Sequence, residues 1–390
     1  ATQHARRQFG WTGDDFKSFV LGGQEVFADK IESNPPATPT KDLFHAFKPK
    51  GTLEEWKGMI NFYNREGFEL HQYVVATSFG SPLMALSPIA CSGFHITGDT
   101  GLGKTTAMFV AASVWGKPKE LVIDRNDTQN SRMLRGEVYR NLPLYIDEMT
   151  NAKPEDLSDM IYQLSGGRQK NRMAGGGNIE RARGEPWSLI TVTTGNTSII
   201  EKVSMAKAMP KAEAQRMLET KAKKLFDESK TKHITDAHAH NAENLYGHAG
   251  VIYMQYVIAN LEEVRTLLYR VQAAIDKEAG LKAENRFWST GVACTITGAM
   301  IAKRLLKENL RSVGDMSMSV QETLNNYLHD NWGNILKIRS TDDLRKPQDN
   351  GLDELIIPEV DPRVRLVGRY ETDVKMLYLT PKPLKAWCGK

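Results

Sequence analysis

Apolar and polar positions change their period along this chain, and each change marks a region. Residues 1–50 alternate in brief runs broken by Asn34-Pro35-Pro36, which predicts short strands and loops. From Thr52 to Leu86 the spacing turns helical. Leu53, Trp56, Met59, Ile60 and Tyr63 form one stripe, Gly67 interrupts, and Leu70, Tyr73, Val74, Ser78 and Leu83 form a second. Short apolar runs then alternate with helix-like segments. They predict strands at 94–97, 120–124, 142–146 and 188–194, with helices to about Trp115, across 128–139 and from Pro154 to Leu164. Alternating strand and helix predicts a parallel sheet covered on both faces. Beyond Pro210 the pattern reads mostly helical to about 338, and 363–380 reads as a β-hairpin. No internal repeat is visible, and low complexity is confined to the triple glycine at 175–177.

The first predicted strand of the α/β region runs straight into Gly-Asp-Thr-Gly-Leu-Gly-Lys-Thr, residues 98–105, and a buried helix pattern follows. This is a complete G-x-x-x-x-G-K-T phosphate loop in the setting its chemistry needs. Gly98, Gly101 and Gly103 allow the tight turn that lets backbone N–H groups converge on phosphate oxygens at a helix N-terminus. Lys104 is placed to reach the β- and γ-phosphates and the Thr105 hydroxyl to sit on Mg²⁺. The expected nucleotide-binding set is therefore Gly98, Asp99, Thr100, Gly101, Leu102, Gly103, Lys104, Thr105 and Thr106.

About forty residues later Leu142-Pro143-Leu144-Tyr145-Ile146 ends in Asp147-Glu148. Asp147, at the end of a strand, is placed to hold Mg²⁺ directly or through water, and Glu148 to orient and deprotonate the attacking water. An ATPase needs that second acid, whereas a small-molecule kinase rarely does. Strand 188–194 is followed by Gly195-Asn196. In phosphate-loop ATPases that insert a strand between the loop strand and the acid strand, a polar residue here stands between γ-phosphate and catalytic acid. Asn196 suits that role because its amide both donates and accepts; a plain strand-closing turn is the rival reading.

Composition adds bounds. The 390 residues allow one large or two to three smaller domains, and the apolar (41%) and charged (25%) fractions are those of an ordinary globular protein. The net charge of +4 neither demands nor excludes nucleic acid, so local clustering has to decide. Cys91, Cys294 and Cys388 fit no zinc spacing and no disulfide framework, which favours a reducing compartment. No apolar run approaches a membrane span, and a cytoplasmic location is expected. Sequence of folded-domain character begins by Arg6, as in a piece of a longer protein.

Taken together, these features resemble the helicase domain of phage and plasmid replication proteins, similar to superfamily 3 and other AAA+ helicases. The carrying residues are Ser78-Phe79-Gly80-Ser81-Pro82-Leu83, Gly98 to Thr106, Ala111-Ala112-Ser113-Val114-Trp115-Gly116, Asp127-Thr128-Gln129-Asn130, Leu144 to Glu148, Gly166-Gly167-Arg168-Gln169-Lys170-Asn171-Arg172, Trp187 and Thr194-Gly195-Asn196. The resemblance covers roughly 15–300 and is strongest over 75–200; the Lys- and Ala-rich segment after 200 and the last ninety residues depart from it. It implies an AAA+ type parallel sheet with helices on both faces; the apolar pattern adds a helical subdomain before that sheet and a mainly helical region with a small C-terminal β element after it. The corresponding division is 1–90, 91–215, 216–340 and 341–390.

By the same resemblance the activity is ATP- and Mg²⁺-driven movement along single-stranded DNA by a homo-oligomeric ring, usually a hexamer, often joined to a primase or polymerase domain upstream. A helicase loader or remodelling ATPase shares the whole nucleotide site and is the alternative. Ring ATPases complete each site with an arginine from the next subunit, worth ~10³–10⁵ in rate. Family position points to Arg216, with Arg286 the runner-up. The segment 166–186 carries Arg168, Lys170, Arg172, Arg181 and Arg183 around Gly175, Gly176 and Gly177, where helicases of this type place a pore hairpin that touches strand phosphates. The histidines at 233, 238, 240 and 248 repeat no metal-ligand spacing and read as polar helix or loop, while Trp56, Trp288 and Trp332 read as core.

Overall fold

Five parallel strands carry the architecture of the computed structural model, which describes residues 5–65, 67–124, 127–169, 184–206, 210–224 and 228–306, with three further strands between 335 and 379. Four short strands come first, β1 (Gly10–Trp11), β2 (Phe19–Leu21), β3 (Gln24–Val26) and β4 (Ile31–Ser33), paired antiparallel in sequence order. Gly10 lies at φ +85°, and a Cβ there would stand 2.8 Å from Asn141 Oδ1. The same Asn141 oxygen accepts from Trp11 N (3.1 Å) while its Nδ2 donates to Ser188 O (2.9 Å). One side chain thus fastens the small sheet to the segments that lead into two central strands.

Helix α1 (Leu53–Ile60) starts at a reciprocal cap, Glu55 N donating to Thr52 Oγ1 and Thr52 N to Glu55 Oε2. Helix α2 (Glu69–Gly80) follows and is buried continuously from His71 to Gly80, where the spacing predicts only a stripe. Its small residues explain this. Ala76, Ser78 and Gly80 let neighbours approach on several sides, and Ser78 Oγ donates to Ala111 O (2.6 Å) and meets the Tyr145 hydroxyl.

The central sheet is formed by β5 (Ser92–Thr97), β6 (Val122–Ile123), β7 (Leu144–Ile146), β8 (Ile190–Gly195) and β9 (Met217–Lys221), in spatial order β6-β7-β8-β5-β9. Between them run α3 (Lys104–Ala112), α4 (Pro118–Leu121), α5 (Gln129–Tyr139), α6 (Pro154–Gly166), α7 (Ile199–Val203) and α8 (Lys211–Arg216). Every residue of β7 and β8 is buried, so both faces of the sheet are covered there. After β9 come α9 (Glu228–Asn244), α10 (Ala249–Ala259), α11 (Leu261–Ala279) and α12 (Arg286–Leu306).

In this part of the chain three expectations are corrected. The strand expected at 120–124 is two residues long, because Pro118 opens a helical turn in which Leu121 N bonds Lys117 O. The acid strand begins at Leu144, after Pro143, which has no N–H for a ladder. The stretch after Pro210, expected helical, contains the fifth strand of the sheet, β9, which pairs with β5 from Gly93↔Met217 to Thr97↔Lys221. Met-Leu-Glu-Thr-Lys has little strand propensity of its own, and the open edge of β5 supplies the partner.

A separate unit, Met318–Lys390, holds β10 (Ile335–Ile338), β11 (Gly368–Glu371) and β12 (Met376–Leu379). β10, parallel to β11, falls in a stretch expected to be helical. β11 and β12 form the hairpin expected within 363–380, with Tyr370 opposite Leu377.

The expected core residue Trp56 is fully buried and donates Nε1–H to Ser113 Oγ (2.8 Å). Trp115 is buried between the small sheet and α10, with its ring against Phe19 and Tyr253. Trp288 is half-buried and donates to Ala214 O (3.0 Å), while Trp332 lies outside the described residues.

Helices α2 and α12 meet through glycine. A Cβ on Gly298 would stand 2.5 Å from the Phe79 carbonyl carbon and 2.6 Å from Gly80 N. Gly298→Ala should therefore destabilise by about 1–3 kcal/mol through overpacking, although alanine is the better helix former. Gly58 in α1 has nothing within 4 Å of such a Cβ, so Gly58→Ala should stabilise by about 0.5–1 kcal/mol. Urea midpoints check both, and a shift of the same sign in the two variants would refute the close approach of α2 and α12.

Candidate nucleotide-binding site

The phosphate loop joins β5 to α3 as the sequence predicts. Gly98, Gly101 and Gly103 have φ of +145°, +86° and +75°, values that side-chain-bearing residues rarely adopt, so the backbone here depends on glycine. Thr100 to Thr106 line an open cleft, together with Asp147, Glu148, Thr194, Gly195 and Asn196. Lys104 opens α3, and its Nζ donates to Gly98 O and Asp99 O, each at 2.7 Å, so the ammonium lies across the mouth of the loop. Burial lowers its pKa, against the opposing pull of Asp147, Asp99 and Glu148.

Asp147 collects the hydrogen bonds of the site. Its carboxylate accepts from Thr105 Oγ1 (3.2 and 3.0 Å), from Thr194 Oγ1 and from Glu148 N (3.1 Å). Glu148 N is also within 3.1 Å of Thr194 Oγ1. Glu148 itself adopts a left-handed backbone, φ +51°, and its Oε2 accepts from Asn151 Nδ2 (2.9 Å). The turn that follows β7 thus needs a conformation uncommon for a side-chain-bearing residue. The carboxyl group is thereby placed on the cleft wall with Asp147. Asn196 is exposed at the end of β8 and lines the same cleft. Thr105 Oγ1 and the Asp147 carboxylate stand side by side as hard oxygen donors, a set that fits Mg²⁺.

Thr194 is the residue that sequence reading missed. Its position in the Thr194-Gly195-Asn196 run was visible, but its bond to Asp147 requires β8 to lie beside β7, which spacing alone does not reveal. Gly195 also has a spatial reason, since a Cβ there would stand 2.3 Å from Thr150 Oγ1. His71 was missed as well. It sits on α2 with Nε2 at 3.3 Å from Leu102 O, beneath the phosphate loop.

The other predicted residues lie elsewhere. Arg216 ends α8, immediately before β9 and level with the beginning of β5, so it is at the opposite end of the sheet from its own phosphate loop. Its Nη1 donates to Ala212 O (2.8 Å), and its guanidinium stands over the rings of Tyr162 (4.6 Å) and Phe287 (5.1 Å). Arg286 is exposed and stands over the same Phe287 ring at 5.3 Å. Arg168 is exposed just after Gly167, the left-handed C-cap of α6. Trp187 N donates to Gly167 O (2.9 Å), which closes the base of the basic segment. Lys170, Arg172, Arg181 and Arg183 lie outside the described residues. Among the described residues no group of three or more His, Cys, Asp and Glu side chains could hold a metal ion. His238 instead turns inward from α9 and stacks on Phe62 at 4.0 Å.

Residues 1–184 match a family described as a domain of unknown function, DUF927. No curated protein matches the sequence. Among solved structures the chain is similar to one titled "SCCmec type IV Cch - active helicase", at 14% identity and TM-score 0.59, over 97% of this chain and 71% of that one. At that identity the likeness establishes a shared, helicase-like α/β fold. The apo C-terminal region of NrS-1 aligns over 80% of this chain and 79% of its own at 11% identity, with a TM-score of 0.30, below that of a common fold. No helix among the described residues is long and apolar enough to cross a membrane.

Three buried histidines make stability depend on pH. Burial is the main cause holding His71, on α2, His95, on β5, and His238, on α9, near pKa 4, below the ordinary 6.5. Between pH 6.5 and 4 the unfolded chain binds protons that the folded chain refuses. The stability is thus fully present above about pH 6.5 and falls as pH drops toward 4, each histidine adding up to ~1.4 kcal/mol per pH unit. Denaturant midpoints between pH 7 and 5 check this. A flat profile over that interval would refute the neutral buried histidines.

Proposed function

We propose that this chain is an ATP-hydrolysing DNA helicase or translocase of phage or plasmid replication, working as a homo-oligomeric ring on single-stranded DNA. The observation that carries the reading is the convergence of Thr105, Thr194 and the Glu148 N–H on the Asp147 carboxylate, at the edge of the glycine loop. A triphosphate would lie on the N–H groups of Gly98 to Thr106, with Lys104 at its β- and γ-phosphates. Thr105 and Asp147 would hold Mg²⁺, which on binding neutralises charge on the phosphates. Glu148 would take the proton from the attacking water, while Asn196, at the end of the intervening strand, would touch the γ-phosphate.

In a ring, Arg216 would enter the neighbouring site, with Arg286 as the alternative donor. Arg168, Lys170, Arg172 and Arg181 would contact strand phosphates without reading sequence. The helicase-like fold supports the assignment, and a primase or polymerase domain upstream would be a natural companion.

A forked-DNA strand-displacement assay with ATP tests the whole reading. Unwinding is expected; ATP turnover without displacement would make the chain a loader or remodelling ATPase instead. Lys104→Ala should abolish turnover and weaken nucleotide binding. Glu148→Gln should keep binding while turnover falls by ~10²–10⁴. Near wild-type hydrolysis by Glu148→Gln would remove that acid from the mechanism.

Assembly has its own test. Arg216→Ala should bind ATP yet be inactive, and mixing it with Glu148→Gln should restore part of the turnover, because some mixed interfaces pair an intact acid with an intact arginine. No recovery at any mixing ratio, with rings intact, would move the role to Arg286.

A further inference from the structure

The turn that carries Asn196 is held from beneath by polar side chains in the heart of the sheet. His95, in the middle of β5, is fully buried. Its partners in register are Thr193 on β8 and Glu219 on β9, so three polar residues form a row across adjacent strands. Apolar residues are the ordinary occupants of such positions in a parallel sheet. The row makes specific bonds. His95 Nδ1 lies 2.7 Å from Thr193 Oγ1 and His95 Nε2 3.4 Å from Thr197 O, the residue after Asn196. Glu219 Oε2 accepts from Ile199 N at 2.7 Å, two residues further on.

A backbone carbonyl can only accept, so Nε2 carries the ring hydrogen, and Nδ1 is left to accept from the Thr193 hydroxyl. Burial, with the Lys104 charge as a lesser cause, opposes a second ring proton, and it is this that keeps the imidazole neutral in that one tautomer. Thr193 adjoins Thr194, which bonds Asp147. One imidazole therefore spans from the acid strand's neighbour to the Asn196 turn.

We infer that His95 is a positioning residue, which with Glu219 fixes the height of the Asn196 turn over the cleft and hence the reach of the Asn196 amide to the γ-phosphate; this rests on the ATPase reading above. The effect should fall on turnover and spare binding. The glycine loop and Lys104 make no hydrogen bond to His95, so nucleotide affinity has little reason to change, whereas a contact felt mainly in the transition state lowers kcat.

Steady-state ATPase of the full chain decides. His95→Leu should lower kcat by at least about tenfold with KM for ATP changed less than about threefold. His95→Gln should recover most of the loss, since its amide N–H reaches toward the Thr197 carbonyl as Nε2 does. Thr193→Val, which removes the hydroxyl and keeps the shape, should lower kcat, and Thr193→Ser should not. That second pair decides if His95→Leu fails to fold. Turnover within twofold of wild type in His95→Leu, equal losses in His95→Leu and His95→Gln, or equal turnover in the two Thr193 variants would overturn the inference. A wild-type chain that turns over no ATP would instead sink the ATPase reading, and this inference with it.

Discussion

Everything at the candidate site depends on three parallel strands that run to one edge of the sheet, the acid strand stopping two residues short of the other two. Thr97 pairs with Gly195, so β5 and β8 end together, while Ile146 pairs with Thr193, so β7 ends two residues earlier and Asp147 and Glu148 follow directly beside the end of β8. Neighbouring strands lie roughly 4.8 Å apart, which sets the phosphate loop and the two acids about two strand spacings from each other. The strand between them supplies the bridge. Thr194 spans from β8 to Asp147, and Asp147 in turn receives Thr105 from across the sheet.

That edge is kept in place by packing on the far side of α3. The Ser113-Val114-Trp115-Gly116 run lies where α3 ends, and each member has a distinct duty. Ser113 accepts from Trp56, while the carbonyls of Ser113 and Val114 accept from Gly247 N and Gly250 N. Gly116 lies so close to the Ala46 carbonyl that a Cβ would stand 2.4 Å from it. The helix that starts at the phosphate loop is thus anchored at its other end to the small sheet, to α1 and to α10 at once. A motif that looks unrelated to nucleotide chemistry fixes the axis along which Lys104 and Thr105 are delivered.

Much of this was legible in the chain. The glycine loop, the acid pair and the intervening strand have local signatures that need no tertiary information: positive φ demands glycine, the acids close an apolar run, and β-branched Ile190 to Thr194 favour extension. What could not be read depends on partners distant in sequence. β9 is a strand because β5 has an open edge, not because Met217–Lys221 prefers extension. α2 is buried on all sides because Gly298 of α12 approaches Gly80, and a single-stripe pattern cannot announce a second helix. His95 looks like an isolated polar residue between Phe94 and Ile96, and His71 like part of a polar first turn beside Gln72, until Thr197 O and Leu102 O are found beside them. Lys170, Arg172 and Arg181 rest on composition and family position alone.

The remaining link lies in α6, which touches both ends of the proposed machinery. At its C-terminal turn, Leu164 O accepts from the Trp187 indole (3.2 Å), and Trp187 N closes the base of the basic segment on Gly167. Further back, Tyr162 lies under the Arg216 guanidinium, and Ser158 donates to the buried Glu213 of α8 at 2.6 Å. A helix of this length spans roughly 20 Å and is stiff along its axis. The base of the basic segment and the seat of Arg216 are therefore mounted on one rigid rod. A pull on the segment that moved Trp187 along that axis would have to carry Tyr162 and Ser158 with it or break their contacts with α8. In a ring where that segment met the strand and Arg216 met the neighbouring phosphates, α6 would connect the two.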